Sequence, residues 1–177
     1  MPAPSKKSVR ASDRLEPEEL ERRTFQRAVK LLAARPLSVA DLRDRLLKGR
    51  GSKKWAVETV IERLKEYGYL DDEQYAFGYA SIKVKQRPVG RRRLKRDLIF
   101  KKVNQEVADE ALDLVFSETS EEELIDRAIE KRIRARGRPE NIDEARKLFE
   151  HLIRQGFPLE LVSEKVRRLC QLDLEES

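Results

Sequence analysis

Apolar residues recur along this chain at helical spacing, and one pattern occurs three times. A leucine is followed by apolar residues four and five positions later. The three copies of this pattern are Leu42, Leu46, Leu47; Leu94, Leu98, Ile99; and Leu148, Leu152, Ile153. Residues four apart share one face of an α-helix, and no segment shows the sustained alternation of a strand. The pattern therefore predicts an all-α protein.

The helices are grouped in a threefold repeat marked by Arg-Pro pairs. Arg35-Pro36, Arg87-Pro88 and Arg138-Pro139 each end a predicted helix, because proline disfavours α geometry at the residue before it. The predicted helices span residues 18–34, 38–49, 54–67, 72–86, 91–102, 105–116, 121–136, 142–155 and 158–171. We interpret them as tandem three-helix repeats stacked in an elongated, curved body. The predicted domains are a mobile basic arm (1–17), repeat one (18–70), repeat two (71–118), and repeat three with a short C-terminal tail (119–177).

Polar residues at the predicted helix starts agree with these limits. There are four pairs in which an N-cap residue is followed, three positions later, by a side chain that can reach back to it. The pairs are Ser38 with Asp41, Asp71 with Gln74, Ser120 with Glu123, and Asn141 with Glu144. At helix ends, Gly68 and Gly156 stand where a left-handed residue closes the last turn.

Composition and charge narrow the kind of partner. Charged residues make up 41% of the chain and aromatic residues 6%, and the net charge is +6. A basic chain favours polyanions or acidic protein surfaces as partners. With one cysteine and no apolar run of membrane-spanning length, we expect a cytoplasmic protein without disulfides and without a membrane partner.

The sequence offers no catalytic or cofactor-binding constellation. His151 is the single histidine, and neither a cysteine nor a paired carboxylate accompanies it at metal-ligand spacing. Cys170 ends the last apolar stripe and is typical of a small buried hydrophobe. No catalytic, cofactor-binding or metal residue is therefore assigned. We expect a non-enzymatic protein whose function survives His151→Ala and Cys170→Ala.

One segment resembles a known family. Residues 68–76 read GYLDDEQYA, similar to the "GYLDD…(F/Y)A" signature of the RecX family, at the junction between the first and second repeats. The signature positions are Gly68, Tyr69, Leu70, Asp71, Asp72, Tyr75 and Ala76. Capping and apolar stapling already account for Asp71, Asp72 and Tyr75, so structural roles are favoured over direct contact. The chain departs from the family at Lys101-Lys102, where relatives usually have Lys-Gly, and we expect this helix end to close by another geometry.

The resemblance implies a regulator, usually an inhibitor, of the RecA recombinase. Such a protein lies in the groove of the RecA–DNA filament and alters ATP hydrolysis and strand exchange in recombination, DNA repair and the SOS response. The partners it implies are the RecA filament and possible single- or double-stranded DNA. We expect a monomer. The alternative function is a stand-alone DNA-binding protein whose three-helix units act as helix-turn-helix readers.

Charge is segregated between neighbouring segments. Residues 80–102 hold ten Lys or Arg and one acid, whereas residues 104–125 hold eight acids and no base. These faces either pair within the repeat stack or serve as contact surfaces. A second basic patch is predicted near Arg138. The candidate contact residues are Arg87, Arg91, Arg92, Arg93, Lys95, Arg96, Phe100, Lys101, Arg132, Arg134 and Arg136.

Phe100 departs from the pattern of its repeat position. It occupies the helix position held by Lys48 in repeat one and Arg154 in repeat three. On a helical wheel it falls on the basic face, beside Arg93 and Arg96. Phe100 either packs against an adjacent repeat or is exposed as a binding anchor.

Overall fold

The computed structural model describes the backbone of residues 16–175 and the side chains of residues 16–170. Most of the predicted N-terminal arm lies outside these residues. Within the described backbone every regular element is an α-helix, and the all-α prediction is confirmed. The helices are α1 (Pro17–Ala34), α2 (Val39–Leu47), α3 (Lys54–Glu66), α4 (Asp72–Gln86), α5 (Arg91–Phe100), α6 (Gln105–Glu118), α7 (Glu121–Arg136), α8 (Ile142–Gln155) and α9 (Leu159–Glu175).

Helix starts are closed by the predicted side chains. Ser38 Oγ accepts a hydrogen bond from the Asp41 N–H at 3.1 Å, and Asn141 Oδ1 accepts one from the Glu144 N–H at 3.0 Å. Ser120 Oγ caps α7 in the same way at 3.3 Å. Each cap satisfies a backbone donor that has no partner inside the helix, and this places the boundaries where the sequence predicts them.

The chain divides into two compact units, with the boundary after Asp72. In unit one, α1, α2 and α3 enclose a core in which Leu42, Leu46, Val57 and Ile61 are fully buried. Burial of each such aliphatic side chain stabilises the fold by about 1.5–3 kcal/mol. The repeated apolar pattern is only partly internal, because Leu47 is 38% exposed.

Unit two, from Glu73 onward, has a single core built by all of its helices. Leu94 and Leu98 of α5, Leu124 of α7, Leu152 of α8 and Phe157 belong to one buried cluster. The second and third predicted repeats thus share one core across residue 118. The three-repeat division itself stays a prediction.

The start of α5 is fixed to the end of α8 by backbone hydrogen bonds. The Gly90 N–H donates to the Gln155 carbonyl at 3.0 Å, and the Arg92 N–H donates to the Gly156 carbonyl at 3.2 Å. A Cβ on Gly90 would lie 2.4 Å from the Gly156 carbonyl carbon, which is too close for any side chain. Two buried glycines therefore allow two helix ends to meet backbone to backbone.

The end of α5 corrects the expectation for Lys101-Lys102. Lys102 adopts φ 65, and its N–H donates to the Ile99 carbonyl at 2.8 Å while the Val103 N–H donates to the Leu98 carbonyl at 3.1 Å. Gly156 closes α8 with the same bonds to Ile153 and Leu152, at φ 92. The expectation of another geometry was wrong: the left-handed closure is kept, and a lysine adopts it.

Replacing Lys102 tests the cost of that conformation. Lys102→Gly should exceed Lys102→Ala in free energy of unfolding by about 1 kcal/mol, because glycine alone adopts positive φ without steric penalty. Both variants lose the lysine side chain, so urea denaturation of the pair isolates the backbone effect. Equal stabilities would show that Lys102 is unstrained.

Candidate functional site

Two of the candidate cations on α5 pair with α6. Arg91 Nη1 lies 2.7 Å from Asp113 Oδ1, and Lys95 Nζ lies 2.8 Å from Asp109 Oδ2. For Arg91 and Lys95, the interpretation that the basic and acidic segments pair within the protein therefore holds.

Arg93 and Arg87 also face inward. Arg93 Nη1 donates to Gln155 Oε1 at 2.7 Å and so supports the contact between α5 and α8. Arg87 is half-buried, and its Nε is buried without a hydrogen-bond partner among the described residues. Both side chains are therefore only partly accessible to a partner, and Arg93 contributes to the fold through its hydrogen bond to Gln155.

The remaining candidates within α5, Arg92, Arg96 and Phe100, form one exposed face together with Ile99, which belongs to the repeated apolar pattern. Arg92, Arg96, Ile99 and Phe100 follow i, i+4, i+7, i+8 spacing, and we name this face the α5 stripe. Neither Arg92 nor Arg96 has an ion pair or a side-chain hydrogen bond within the described part of the chain. Phe100 is 88% exposed and Ile99 is 43% exposed. The interpretation of Phe100 as a core residue is therefore wrong.

Lys101 follows Phe100 in the chain and contacts the aromatic ring of Tyr79. Its Nζ lies 4.8 Å from the centroid of the Tyr79 ring, and Lys83 Nζ lies 5.4 Å from the same centroid. The Tyr79 hydroxyl donates to Asp97 Oδ2 at 3.3 Å. Burial, and next the Asp97 carboxylate, raise the pKa of Tyr79 to about 12, so the phenol stays protonated. Sequence reasoning missed Tyr79, which orders this lysine pair.

The candidates on α7 lie on two faces rather than in one patch. Arg132 and Arg136 line a hollow together with Arg138 and the acidic Glu144. Arg134 instead lines a second hollow. Successive candidates are two residues apart, which is about 200° around a helix, so Arg134 points in nearly the opposite direction to Arg132 and Arg136.

The second hollow contains cations that sequence reasoning missed. Its lining is formed by Gln86, Pro88, Arg127, Lys131 and Arg134, and we name it the α7 hollow. Arg127, Lys131 and Arg134 have i, i+4, i+7 spacing, and this periodicity is the signal that could have found them.

His151 and Cys170 have surroundings typical of structural residues. Burial lowers the pKa of His151, and the nearby Arg132, Arg154 and Arg93 lower it further, so the imidazole is neutral at pH 7. Cys170 packs against the core of unit two. Among the described residues, no cluster of three or more His, Cys, Asp or Glu side chains could hold a metal ion.

The signature segment closes unit one. Gly68 has φ 69, and Leu70 is buried in the core of that unit. Asp72 Oδ1 accepts a hydrogen bond from the Val39 N–H at 2.8 Å and so caps the start of α2. Burial raises the pKa of Asp72, although the hydrogen bond from Val39 opposes that shift. The interpretation of Asp72 as a structural residue is supported by this contact.

Other signature residues differ in exposure. Ala76 is fully buried in the core of unit two, where the Tyr75 ring stacks on Tyr79 with centroids 6.5 Å apart. Asp71 is partly exposed. Tyr69 is 70% exposed and makes an edge contact with Tyr67. Most of the signature therefore maintains the fold, with Tyr69 at the surface.

A second cap repeats the arrangement at Asp72. Glu121 Oε1 accepts a hydrogen bond from the Arg91 N–H at 2.9 Å at the start of α5. Asp72 is the first residue of α4, and Glu121 is the first residue of α7. In both cases the first residue of the first helix in the next predicted repeat caps the middle helix of the preceding one.

These features define an all-helical repeat protein. Within the described residues, no helix is long and apolar enough to cross a membrane. Residues 71–112 match the family model described as RecX, second three-helix domain. The chain belongs to the RecX family of regulatory proteins.

Sequence relatives show this family, and a solved structure shares the fold. Regulatory protein RecX of Chlorobium limicola is 33% identical over 145 residues, covering 81% of this chain and 87% of the relative. That of Treponema pallidum (strain Nichols) is 42% identical over 110 residues, covering 62% of this chain and 66%, just under two thirds, of the relative. The crystal structure of RecX from Lactobacillus salivarius superposes with a TM-score of 0.74 at 17% identity, over 87% of this chain and 99% of that one.

Two substitutions at Asp72 distinguish the effect of its capping hydrogen bond on stability from the effect of its charge. Asp72→Ala should lower the free energy of unfolding by about 1 kcal/mol, because the Val39 N–H loses its acceptor. Asp72→Asn keeps an acceptor oxygen and should be at least as stable as the wild type at pH 7, since it removes a buried charge.

The pH dependence follows from the raised pKa of Asp72. Its ionisation penalises the folded state above the folded-state pKa, and protonation removes the penalty as pH falls through that value. The advantage of Asp72→Asn over the wild type should therefore shrink on acidification in paired urea melts. An advantage that grew toward low pH would contradict the assignment.

Proposed function

We propose that this protein regulates a RecA-type recombinase by docking on the recombinase–DNA filament through the α5 stripe. Bound there, it lowers ATP turnover and strand exchange. It acts as a cytoplasmic monomer and catalyses no reaction itself. Membership of a family of regulatory proteins supports the regulatory role, and the composition of the stripe supports the docking surface.

The observation that carries the proposal is the exposure of Phe100 beside two unpaired arginines. An aromatic side chain that is 88% exposed gains apolar burial only when a partner covers it. Arginine and aromatic residues supply most of the energetic anchors in protein interfaces. Arg92 and Arg96 can pair with carboxylates of a partner without first breaking an internal ion pair. The stripe therefore suits an acidic protein surface with an apolar recess.

The stand-alone DNA reader is less well supported. A helix-turn-helix reader presents the N-terminal residues of its recognition helix to base edges. At the start of α5, the backbone amides donate hydrogen bonds to Gln155, Gly156 and Glu121. This end of the helix is therefore covered by other parts of the protein. The following helix, α6, carries acids and no base, so it would repel DNA phosphates.

Filament assays test the proposal directly. The protein should bind recombinase-coated DNA more tightly than bare DNA, and saturating protein should lower recombinase ATP turnover. Binding should weaken as salt rises, because exposed ion pairs are screened. No effect on ATP turnover at saturation would refute the regulatory role, and equal binding to bare DNA would favour the alternative.

Phe100→Ala should weaken filament binding by about 1–3 kcal/mol, because it removes the aromatic anchor. Its melting temperature should stay unchanged, since the side chain contributes little to the core. Ile142→Ala is the matched control, because Ile142 is 87% exposed but lies on α8. If the two variants lost binding equally, or if Phe100→Ala lost none, the α5 stripe would not be part of the interface.

A further inference from the structure

We infer that the α7 hollow is a contact site for the phosphates of a single-stranded nucleic acid. The hollow lies between α7, which supplies Arg127, Lys131 and Arg134, and the end of α4 with the loop that follows it, which supply Gln86 and Pro88. Arg127 and Lys131 were not predicted from the sequence, and neither belongs to the α5 stripe.

The cations of the hollow form a row along one helix face. At a rise of 1.5 Å per residue, Arg127 and Arg134 are about 10 Å apart along the axis of α7. Phosphates of one strand follow each other at about 3.4 Å along a duplex axis and farther apart in an extended strand. A row of this length can therefore contact more than one phosphate of the same strand.

The charge of the hollow is poorly compensated inside the protein. Arg127 and Lys131 are exposed and have no ion pair within the described side chains. Arg134 Nη2 reaches Glu130 Oε2 at 3.4 Å, an exposed pair that contributes little. Like charges four residues apart destabilise a helix by a few tenths of a kcal/mol. A bound polyanion would relieve this repulsion.

The lining favours phosphate over a protein surface. Arginine guanidinium groups donate paired hydrogen bonds that match phosphate oxygens, and the Gln86 amide adds a neutral donor. The lining contains no aromatic side chain and no large aliphatic one, so it offers neither a base-stacking platform nor an apolar anchor. Binding there should therefore be independent of nucleotide sequence.

The neighbouring hollow on the other face of α7 is a natural contrast. It also contains arginines, Arg132 and Arg136, but Glu144 lines it as well. A carboxylate in the wall repels a phosphate at close range. The lining of the α7 hollow contains no acid, and within the described side chains the one carboxylate that pairs with its cations, Glu130, reaches only Arg134.

This inference rests on the proposed function only for the source of the strand, which is the DNA held by the recombinase. The contact itself is a property of the free protein. Its test therefore uses the full chain and a fluorescently labelled single-stranded oligonucleotide of mixed sequence, without recombinase.

The test variant is Arg127→Ala/Lys131→Ala, and the matched control is Arg167→Ala/Arg168→Ala, which removes the same charge from α9. Fluorescence anisotropy at low salt should show at least a tenfold loss of affinity in the test variant and a much smaller loss in the control. The slope of log affinity against log salt should fall by about 1.4, because each phosphate contact on a single strand contributes about 0.7. Unchanged thermal melting should accompany both results.

Three outcomes would overturn the inference. They are equal losses in the two variants, an unchanged salt slope, and displacement of the oligonucleotide by polyglutamate of equal length as effectively as by unlabelled oligonucleotide. The last result would assign the hollow to acidic protein surfaces. Filament binding by the Phe100→Ala variant is measured separately, so failure of the phosphate contact is distinguishable from failure of the proposed function.

Discussion

The contact between the start of α5 and the end of α8 is the constraint on which unit two depends. Donors at Gly90 and Arg92 meet carbonyls at Gln155 and Gly156, so two helix ends of opposite partial charge are joined without intervening side chains. This contact fixes the rotation of α5 about its own axis. One face is thereby turned toward α6, where Arg91 pairs, and the α5 stripe is left in solvent.

A second constraint is a carboxylate cap on two of the helices. Asp72 caps the start of α2 at Val39, and Glu121 caps the start of α5 at Arg91. The acidic residue in the family signature therefore has a structural explanation. The exposed Arg92, Arg96 and Phe100 make no such structural contact among the described residues, which is why the proposed docking surface is built on them.

Local features of the sequence predicted the helices well, because periodicity, caps and Arg-Pro breaks act within a few residues. Three of the predicted caps are present as hydrogen bonds. The sequence could not divide the α5 cations into paired and exposed sets, because the partners of Arg91 and Lys95 lie on another helix. For the same reason it could not decide between a buried and an exposed Phe100. Helical geometry alone could have predicted that the α7 arginines lie on two faces. They were grouped in one patch because they are close together in the sequence.

The backbone contact between the start of α5 and the end of α8 also determines how unit two opens. The amide protons of Gly90 and Arg92 are held by carbonyls more than sixty positions away in the chain, outside any helix ladder. They can exchange with solvent deuterium only when α5 and α8 separate, which also exposes the core that these helices share. These two protons therefore report the cooperative opening of unit two as a whole, whereas helix-end amides that lack a distant acceptor report only local fraying.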